Sequence, residues 1–310
     1  MKVLSLFDGL SGGHISLDRA VVKVDKYYAS EIDKYAMQVT MKNYPDTIQV
    51  GSVINLTDEQ LAEMDIDLLI GGSPCQGFSL IGKLTGSATK CGKEVATLED
   101  YLALKRMNFE FDGQSYLFWE YIRVLNIVKP KYFLLENVRI NHKWLPMFNK
   151  AIGVKPVIIN SALVSAQNRV RYYWTNIPDV EQPENKNIVL SDILYDKDVL
   201  PVSESSAIKY APYKGDFVDP YNKTNLKGNK STTLRTNSSN GNMWIKDIDS
   251  SVIGKHPAYR RLHPIECERL QTIPDGYTDW VSNSQRYKMI GNGFTIDVIA
   301  HIFKGLKDKQ

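Results

Sequence analysis

Cys75 stands in "IGGSPCQGFS" (70–79), between Pro74 and Gln76, where an apolar run gives way to Gly and Ser. A structural cysteine normally packs inside an apolar segment, whereas loops at strand ends carry chemistry. A thiol at such an exit becomes a nucleophile once something favours its thiolate, because a free thiol has a pKa of about 8.5. Glu136 leaves a second apolar run, "YFLLEN", with Asn137 beside it. An acid at a buried strand end is held partly protonated and can donate a proton. Arg169 and Arg171 stand two apart in "AQNRVRYYW". Alternation along an extended segment sends both to one face, where two guanidiniums can grip an anionic or carbonyl-rich group. Each feature also has a plain alternative: a packed cysteine, a helix-capping glutamate, a pair of solvated arginines.

Two glycine-bearing segments add a binding function. "LFDGLSGG" (6–13) follows the first apolar run and opens a helix. Glycine lets a ligand approach the backbone closely, and the helix start offers free N–H groups. The order Gly9, Leu10, Ser11, Gly12, Gly13 is not the dinucleotide G-x-G-x-x-G fingerprint. Glu31 ends the next apolar run, where a carboxylate accepts hydrogen bonds from ribose hydroxyls. The pair points to a nucleoside-bearing cofactor other than a nicotinamide. Asn292 lies between two glycines in "IGNGF", just before the last helical pattern, and a helix cap is its default role.

The elements that must position these residues alternate over the first 175 residues. "KVLSLF" (2–7), "KYYASE" (26–31), "DLLIGG" (67–72), "YFLLEN" (132–137) and "PVIINS" (156–161) read as strands. Helical periodicity fills the gaps: from the Gly-rich turn to about Val22, over "DKYAMQVTMKNY" (33–44), and from Tyr116 to Val128, where Lys129-Pro130 stops it. Strands separated by helices imply an α/β fold with a mostly parallel sheet covered on both faces. Residues 82–115 are too long for an ordinary βα loop and suggest a functional lid or a disordered stretch. Residues 178–260 are rich in Asn, Ser, Lys and Pro and suggest a separate, loop-rich small domain; the C-terminus then returns to helical periodicity. The expected division is 1–177, 178–280 and 281–310, the last rejoining the first.

Bulk properties narrow the class. A chain of 310 residues with 43% hydrophobic and 24% charged residues is ordinary for a globular protein. No apolar run approaches the ~20 residues a bilayer span needs, and the opening "MKVLSLFDG" does not read as a signal peptide. Cys75, Cys91 and Cys267 form no C-x-x-C pair and are odd in number, which argues against disulfides or a zinc knuckle and for a reducing, cytoplasmic setting. No metal is expected. The net charge of +3 is small, but residues 205–262 hold ten Lys/Arg against four Asp/Glu, while the rest of the chain holds 28 against 31. A basic segment on a slightly acidic body suggests a nucleic-acid-facing lobe.

In order, these stretches resemble the blocks of the cytosine-C5 DNA methyltransferases across nearly the whole chain. "LFDGLSGG" is similar to the methyl-donor loop, "ASEIDKYA" to the ribose-binding block and "GGSPCQGFS" to the Pro-Cys nucleophile block. "LLENV" resembles the Glu-Asn-Val block and "QNRVR" the Gln-x-Arg-x-Arg block; "RLHPIECERLQTIPDGY" (261–277) and "IGNGF" resemble the two closing blocks. The type is bacterial or phage, with similarity to the animal de novo enzymes in "LSLFDG" and "YYASE".

The resemblance implies a doubly wound class I S-adenosylmethionine-dependent fold with a smaller target-recognition domain. Cys75 would attack C6 of a flipped-out cytosine, Glu136 would hydrogen-bond or protonate N3, and Arg169 and Arg171 would hold the base carbonyl, a phosphate or the Cys75 loop. S-adenosylmethionine would meet Phe7, Asp8, Gly9, Leu10, Ser11 and Gly12. Glu31, Ile32, Ser52, Val53 and Pro74 would continue that site, with Leu117, Asn292 and Gly293. The partner would be double-stranded DNA, with Lys230 and Arg235 of "KSTTLRTNSSNGN" (230–242) as candidate base or phosphate contacts. A cognate restriction endonuclease and a monomeric state complete the expectation. A small RNA-modifying branch shares the same blocks, and the basic 205–262 segment favours DNA.

Two departures stand out. Where the family has Gly-Asp-Ile or Gly-Asp-Val, this chain reads "VGSVINL", so Ser52 replaces an aspartate that takes the adenine amino group. A hydroxyl accepts that bond more weakly and without charge, which implies weaker donor binding. The segment from Gly82 to Ser115 is also longer than the family's usual lid.

Overall fold

The computed structural model describes residues 1–74, 77–78, 86–195, 217–219, 224–226, 229–234, 244–246 and 259–309. Its larger sheet is built on the apolar runs: β1 (Lys2–Leu6), β2 (Lys26–Ser30), β3 (Ile48–Gln49), β4 (Leu68–Gly71), β5 (Tyr132–Asn137), β6 (Val157–Asn160) and β7 (Val170–Thr175). They lie in the order β3-β2-β1-β4-β5-β7-β6. The pairs β1–β2, β2–β3, β1–β4 and β4–β5 are parallel, and β7 runs antiparallel to β5. The chain winds outward from β1 to β3, then crosses to β4 on the other side of β1. This reversal opens a crevice at the carboxyl ends of β1 and β4, where doubly wound sheets bind ligands.

Helices α1 (Gly12–Arg19), α2 (Lys34–Asn43), α3 (Asp58–Glu63), α4 (Leu98–Arg106), α5 (Leu117–Val128) and α6 (Leu145–Ile152) connect the strands. Asp33 caps α2, its carboxylate accepting from the Tyr35 and Ala36 amides. α5 ends where expected, with Lys129 in the left-handed region at φ 42°. α1 stops at Arg19, short of the expected Val22, because Val21 turns to φ 58° and is 77% exposed. One core joins Leu4, Leu6, Leu69 and Leu135 to Phe118, Trp119, Tyr121, Phe148 and Trp174.

The expectation of a long loop over 82–115 is corrected. Within its described part, Thr97 caps α4 by accepting from the Asp100 amide, and Val95, Tyr101 and Leu104 are buried in that core. Short bridges Ala88–Glu94 and Thr89–Phe111 close the segment around it. Nine residues with only two buried positions, Tyr101 and Leu104, gave too little periodicity to recognise in the sequence.

The second sheet has the order β11-β10-β8-β9: β8 (Phe217–Asp219), β9 (Thr224–Asn225), β10 (Trp244–Lys246) and β11 (Tyr259–Arg261), with all three pairings antiparallel. Helices α7 (Pro264–Leu270), α8 (Asn283–Asn292) and α9 (Ile296–Phe303) follow. Contact density separates Met1–Ile159, Val170–Gln182 and Ala300–Gln310 as one unit from Asn160–Arg169 and Pro183–Ile299 as another. These bounds differ from the three segments expected from sequence: Asn160–Arg169 joins the second unit, and only the last eleven residues of 281–310 return to the first.

Candidate active site

The segment after β1 turns three times through left-handed backbone, at Phe7 (φ 57°), Gly9 (φ 59°) and Ser11 (φ 61°). Asp8 between them is buried. Its carboxylate accepts from Tyr27 Oη at 2.7 Å and Ser11 Oγ at 2.5 Å, which shapes the loop from below. Burial pushes the Asp8 carboxyl up to about 6, against the opposing pull of the Ser11, Ser5 and Tyr27 hydrogen bonds. Leu10 and Gly12 are buried in the same turn, and Gly13 lies so close to β4 that a Cβ would meet Tyr27 Oη at 2.7 Å and Ile70 Cδ1 at 3.1 Å.

Glu31 continues β2 and reaches back to this loop. Its Oε2 accepts from the Gly9 amide at 2.8 Å, and its Oε1 from the Ile32 and Asp33 amides at 2.7 and 2.8 Å. The carboxylate is thus fixed in position with lone pairs to spare. Ile32 beside it is 70% exposed, an apolar surface next to an acid. After β3, Gly51 (φ 72°) accepts Ser30 Oγ at 2.7 Å and leads into Ser52 and the short 3-10 turn Val53–Asn55. The Ser52 hydroxyl makes no capping bond to that turn, and Val53 is buried. These residues fit a nucleoside-bearing methyl donor: a Cβ on Gly9 would meet no atom within 4 Å, leaving room for a ligand at the backbone, and beside it stand an anchored carboxylate and an exposed apolar side chain.

The Pro-Cys loop leaves β4. Pro74 is described; Cys75 and Gln76 lie outside the described residues. Asn137 holds the near side of the loop, donating from Nδ2 to Ser73 O at 3.2 Å and Ser73 Oγ at 3.3 Å. On the far side Gly77 donates to Ser115 Oγ at 2.8 Å and accepts from the Gly86 amide at 2.9 Å; a Cβ there would sit 2.2 Å from Gly86 O. Phe78 is buried edge-on against Phe148 and Trp144, with ring centroids 5.0 and 5.7 Å away. Leu117, at the start of α5 just beyond Ser115, is buried in the core. Asn137 and Ser115 were not assigned these roles from sequence. The signal for Asn137 was its place beside Glu136 at a strand end.

Glu136 on β5 and Arg171 on β7 form an ion pair, Arg171 Nε to Glu136 Oε1 at 3.1 Å, with both side chains 12% exposed. Glu136 lies opposite Tyr173, so Arg171 is its diagonal neighbour across the antiparallel pair. The expected joint grip by two arginines is corrected. Arg169 precedes β7 and is 4% exposed; its Nη2 donates to Gly293 O at 2.9 Å and Gly291 O at 3.3 Å. It therefore organises the turn after α8, which Gln271 also holds, from Nε2 to Gly293 O at 3.2 Å. Asn292 is corrected too: it is the last residue of α8, and α9 begins only at Ile296.

Lys230 does not stand ready for DNA, contrary to expectation. Its ammonium donates to Ala162 O at 2.8 Å, Ser165 O at 2.9 Å and Ile188 O. Those three bonds use every donor it has, and burial lowers its pKa. Beside it Gln167 accepts the Leu234 amide at 2.9 Å and donates to Leu270 O at 3.1 Å. Arg235 lies outside the described residues.

Comparison with known proteins supplies the family. The model of the C-5 cytosine-specific DNA methylase family matches residues 1–187 and 167–308. The Type II methyltransferase M.NlaX of Neisseria lactamica is 28% identical, over 99% of this chain and 96% of that protein. M.HhaI of Haemophilus parahaemolyticus is 24% identical, over 97% and 93%. Among solved structures, a mutant of Spodoptera frugiperda DNMT2 superimposes with a TM-score of 0.71 at 18% identity, covering 98% of this chain and 99% of that one. A putative DNA modification methyltransferase from an Escherichia coli prophage gives 0.67 at 22%, covering 99% of each. With the family match running through both halves of the sequence, the chain belongs to the C-5 cytosine-specific DNA methylases.

Proposed function

We propose that the chain transfers a methyl group from S-adenosylmethionine to C5 of a cytosine flipped out of double-stranded DNA, with Cys75 as nucleophile and Glu136 as its partner at N3. The observation that carries this is the end of β5. Glu136 is oriented there by Arg171 at 3.1 Å, and the next residue, Asn137, fixes Ser73 two positions before Cys75.

Cytosine C5 is a poor nucleophile until electrons enter the ring. The Cys75 thiolate forms a bond to C6 while the C5=C6 pair shifts toward N3, where Glu136 supplies a hydrogen bond or a proton. S-adenosylmethionine, when bound, would supply the electrophilic methyl group that C5 takes up, its S–CH3 bond breaking to leave S-adenosylhomocysteine. Loss of the C5 proton and departure of the Cys75 sulfur then restore the double bond, and N3 gives its proton back. Glu31 would accept from the ribose hydroxyls, with Ile32 and Val53 at the adenine and Ser52 at its amino group. Phe7 to Gly12 would face the rest of the donor, with Pro74 and Leu117 behind the nucleophile loop. Arg169 acts by positioning the turn at Asn292 and Gly293. A base in a stacked duplex is out of reach of Cys75, so flipping precedes chemistry.

Segment 178–280 would carry target recognition, with Arg235 as a phosphate or base contact. A cytoplasmic monomer, acting beside a restriction endonuclease of the same specificity, is the setting this reading fits. Its direct test uses a duplex with 5-fluorocytosine at the target. Fluorine cannot leave C5 as a proton does, so the bond to Cys75 persists. With S-adenosylmethionine present, wild type should form a denaturant-resistant protein–DNA adduct and Cys75→Ser none; an equal adduct in both would refute the assignment.

A further inference from the structure

The inserted helix α4 packs against α5. Glu120 on α5 is wholly buried, and its carboxylate accepts from three donors. Two come from the inserted helix α4: the Tyr101 hydroxyl, and Lys105 Nζ at 2.5 Å from Oε1. The third is Arg123 Nε, 2.8 Å from Oε2, with Nη2 of the same guanidinium in ion-pair contact with that oxygen at 2.8 Å. Arg123, one turn along α5, is buried in turn. Beyond Glu120 its guanidinium donates from Nη2 to Val53 O at 3.1 Å and Leu56 O at 3.0 Å, and from Nη1 to Asp58 Oδ1 at 2.6 Å. Those carbonyls bracket the 3-10 turn that follows Ser52.

A buried carboxylate is costly unless every lone pair finds a donor, and so is a buried guanidinium. Each here satisfies the other, with surplus bonds pointing outward in two directions. Toward α4, Glu120 takes the tyrosine and the lysine; toward the Ser52–Val53 segment, Arg123 takes two backbone carbonyls. Loss of the α4 donors would leave Glu120 underpaired and free the Arg123 fork to turn toward it, away from Val53 and Leu56. Val53 and Leu56 anchor the turn in the core, but its polar restraints are few: Ser52 does not cap it, and its own backbone contributes two bonds, Asn55 N to Ser52 O at 3.0 Å and Leu56 N to Val53 O at 3.4 Å.

We infer that the inserted helix α4 is a buttress of the methyl-donor site, with Tyr101, Lys105, Glu120 and Arg123 as positioning residues that hold the Ser52–Val53 turn against the adenine. The inference rests on the reading that this turn meets the donor. A helix from the lid region thereby sets donor affinity through contacts that touch neither donor nor DNA.

The test is calorimetric titration of S-adenosylhomocysteine into DNA-free protein for wild type, Lys105→Met and Tyr101→Phe/Lys105→Met. The single variant removes only Lys105, whose side chain is 32% exposed, and keeps the Tyr101 and Arg123 bonds to Glu120. The buttress predicts a Kd raised on the order of tenfold in the double variant, by analogy with the cost of small displacements in binding geometry. It also predicts KM for S-adenosylmethionine raised in parallel, kcat at saturating donor unchanged and DNA affinity unchanged. A variant that melts earlier yet binds S-adenosylhomocysteine as wild type does would overturn the buttress and leave the donor site standing. Wild type that binds no S-adenosylhomocysteine would overturn the donor-site reading itself, and this inference with it.

Discussion

Burial strips water from the Asp8 carboxylate, and the hydrogen bonds it accepts from Tyr27 and Ser11 offset only part of that loss. Its folded-state pKa, raised from 3.8 to about 6, means that the folded chain holds this proton more tightly than the unfolded chain does. The resulting contribution to stability is complete below about pH 4 and is lost as pH rises through 6. Relative to Asp8→Asn, wild type should therefore lose on the order of 3 kcal/mol of unfolding free energy between about pH 4 and pH 7. Urea unfolding of both proteins across that range checks it, and parallel curves would contradict it. Lys230 gives a second residue-scale outcome. Lys230→Met strips the donors from three carbonyls and should cost about 1–3 kcal/mol of stability, while the salt dependence of DNA binding stays as in wild type. A phosphate contact would instead lower that salt slope by about 0.9. The place of Glu136 at the end of a buried strand was legible in the sequence, because the apolar run before it marks β5. Partner choice was not: nothing in "NKSTTLR" says that the lysine turns inward to carbonyls of Ala162, Ser165 and Ile188.

Elements follow the same division. Strands β1, β2, β4, β5 and β6 and helices α2 and α5 could be read from apolar runs and caps, whereas the two-residue β3 has no buried position to show a period. α4 could not, since most of its exposed face is charged and its two buried residues, Tyr101 and Leu104, are only three apart. The antiparallel course of β7 was equally hidden, as alternation does not encode strand direction; yet that course puts Arg171 diagonal to Glu136. At the turn after β3, sequence did expose a consequence. If the turn meets the donor as proposed, Ser52 would offer the adenine amino group a neutral acceptor where an aspartate would offer a charged one. Ser52→Asp should tighten S-adenosylhomocysteine binding roughly fivefold, the difference between a neutral and a charge-assisted hydrogen bond. Equal affinities by titration calorimetry would dispose of that account.

At the scale of the molecule, the sequence carries its positive surplus in residues 205–262, and Glu136 and Arg171, the residues proposed for the chemistry, lie outside that segment. A basic segment apart from the chemistry suits a partner that must be held along its phosphates while one base is treated elsewhere. Among the described residues no helix is long and apolar enough to cross a membrane. The central claim is that this chain methylates cytosine in DNA through Cys75. The measurement that meets it most directly is bisulfite sequencing of DNA from methylation-free bacteria expressing wild type or Cys75→Ala. Protected cytosines in one recurring sequence context, present with wild type and absent with the variant, are the predicted result. Complete conversion in both, with the protein soluble and abundant, would contradict the account.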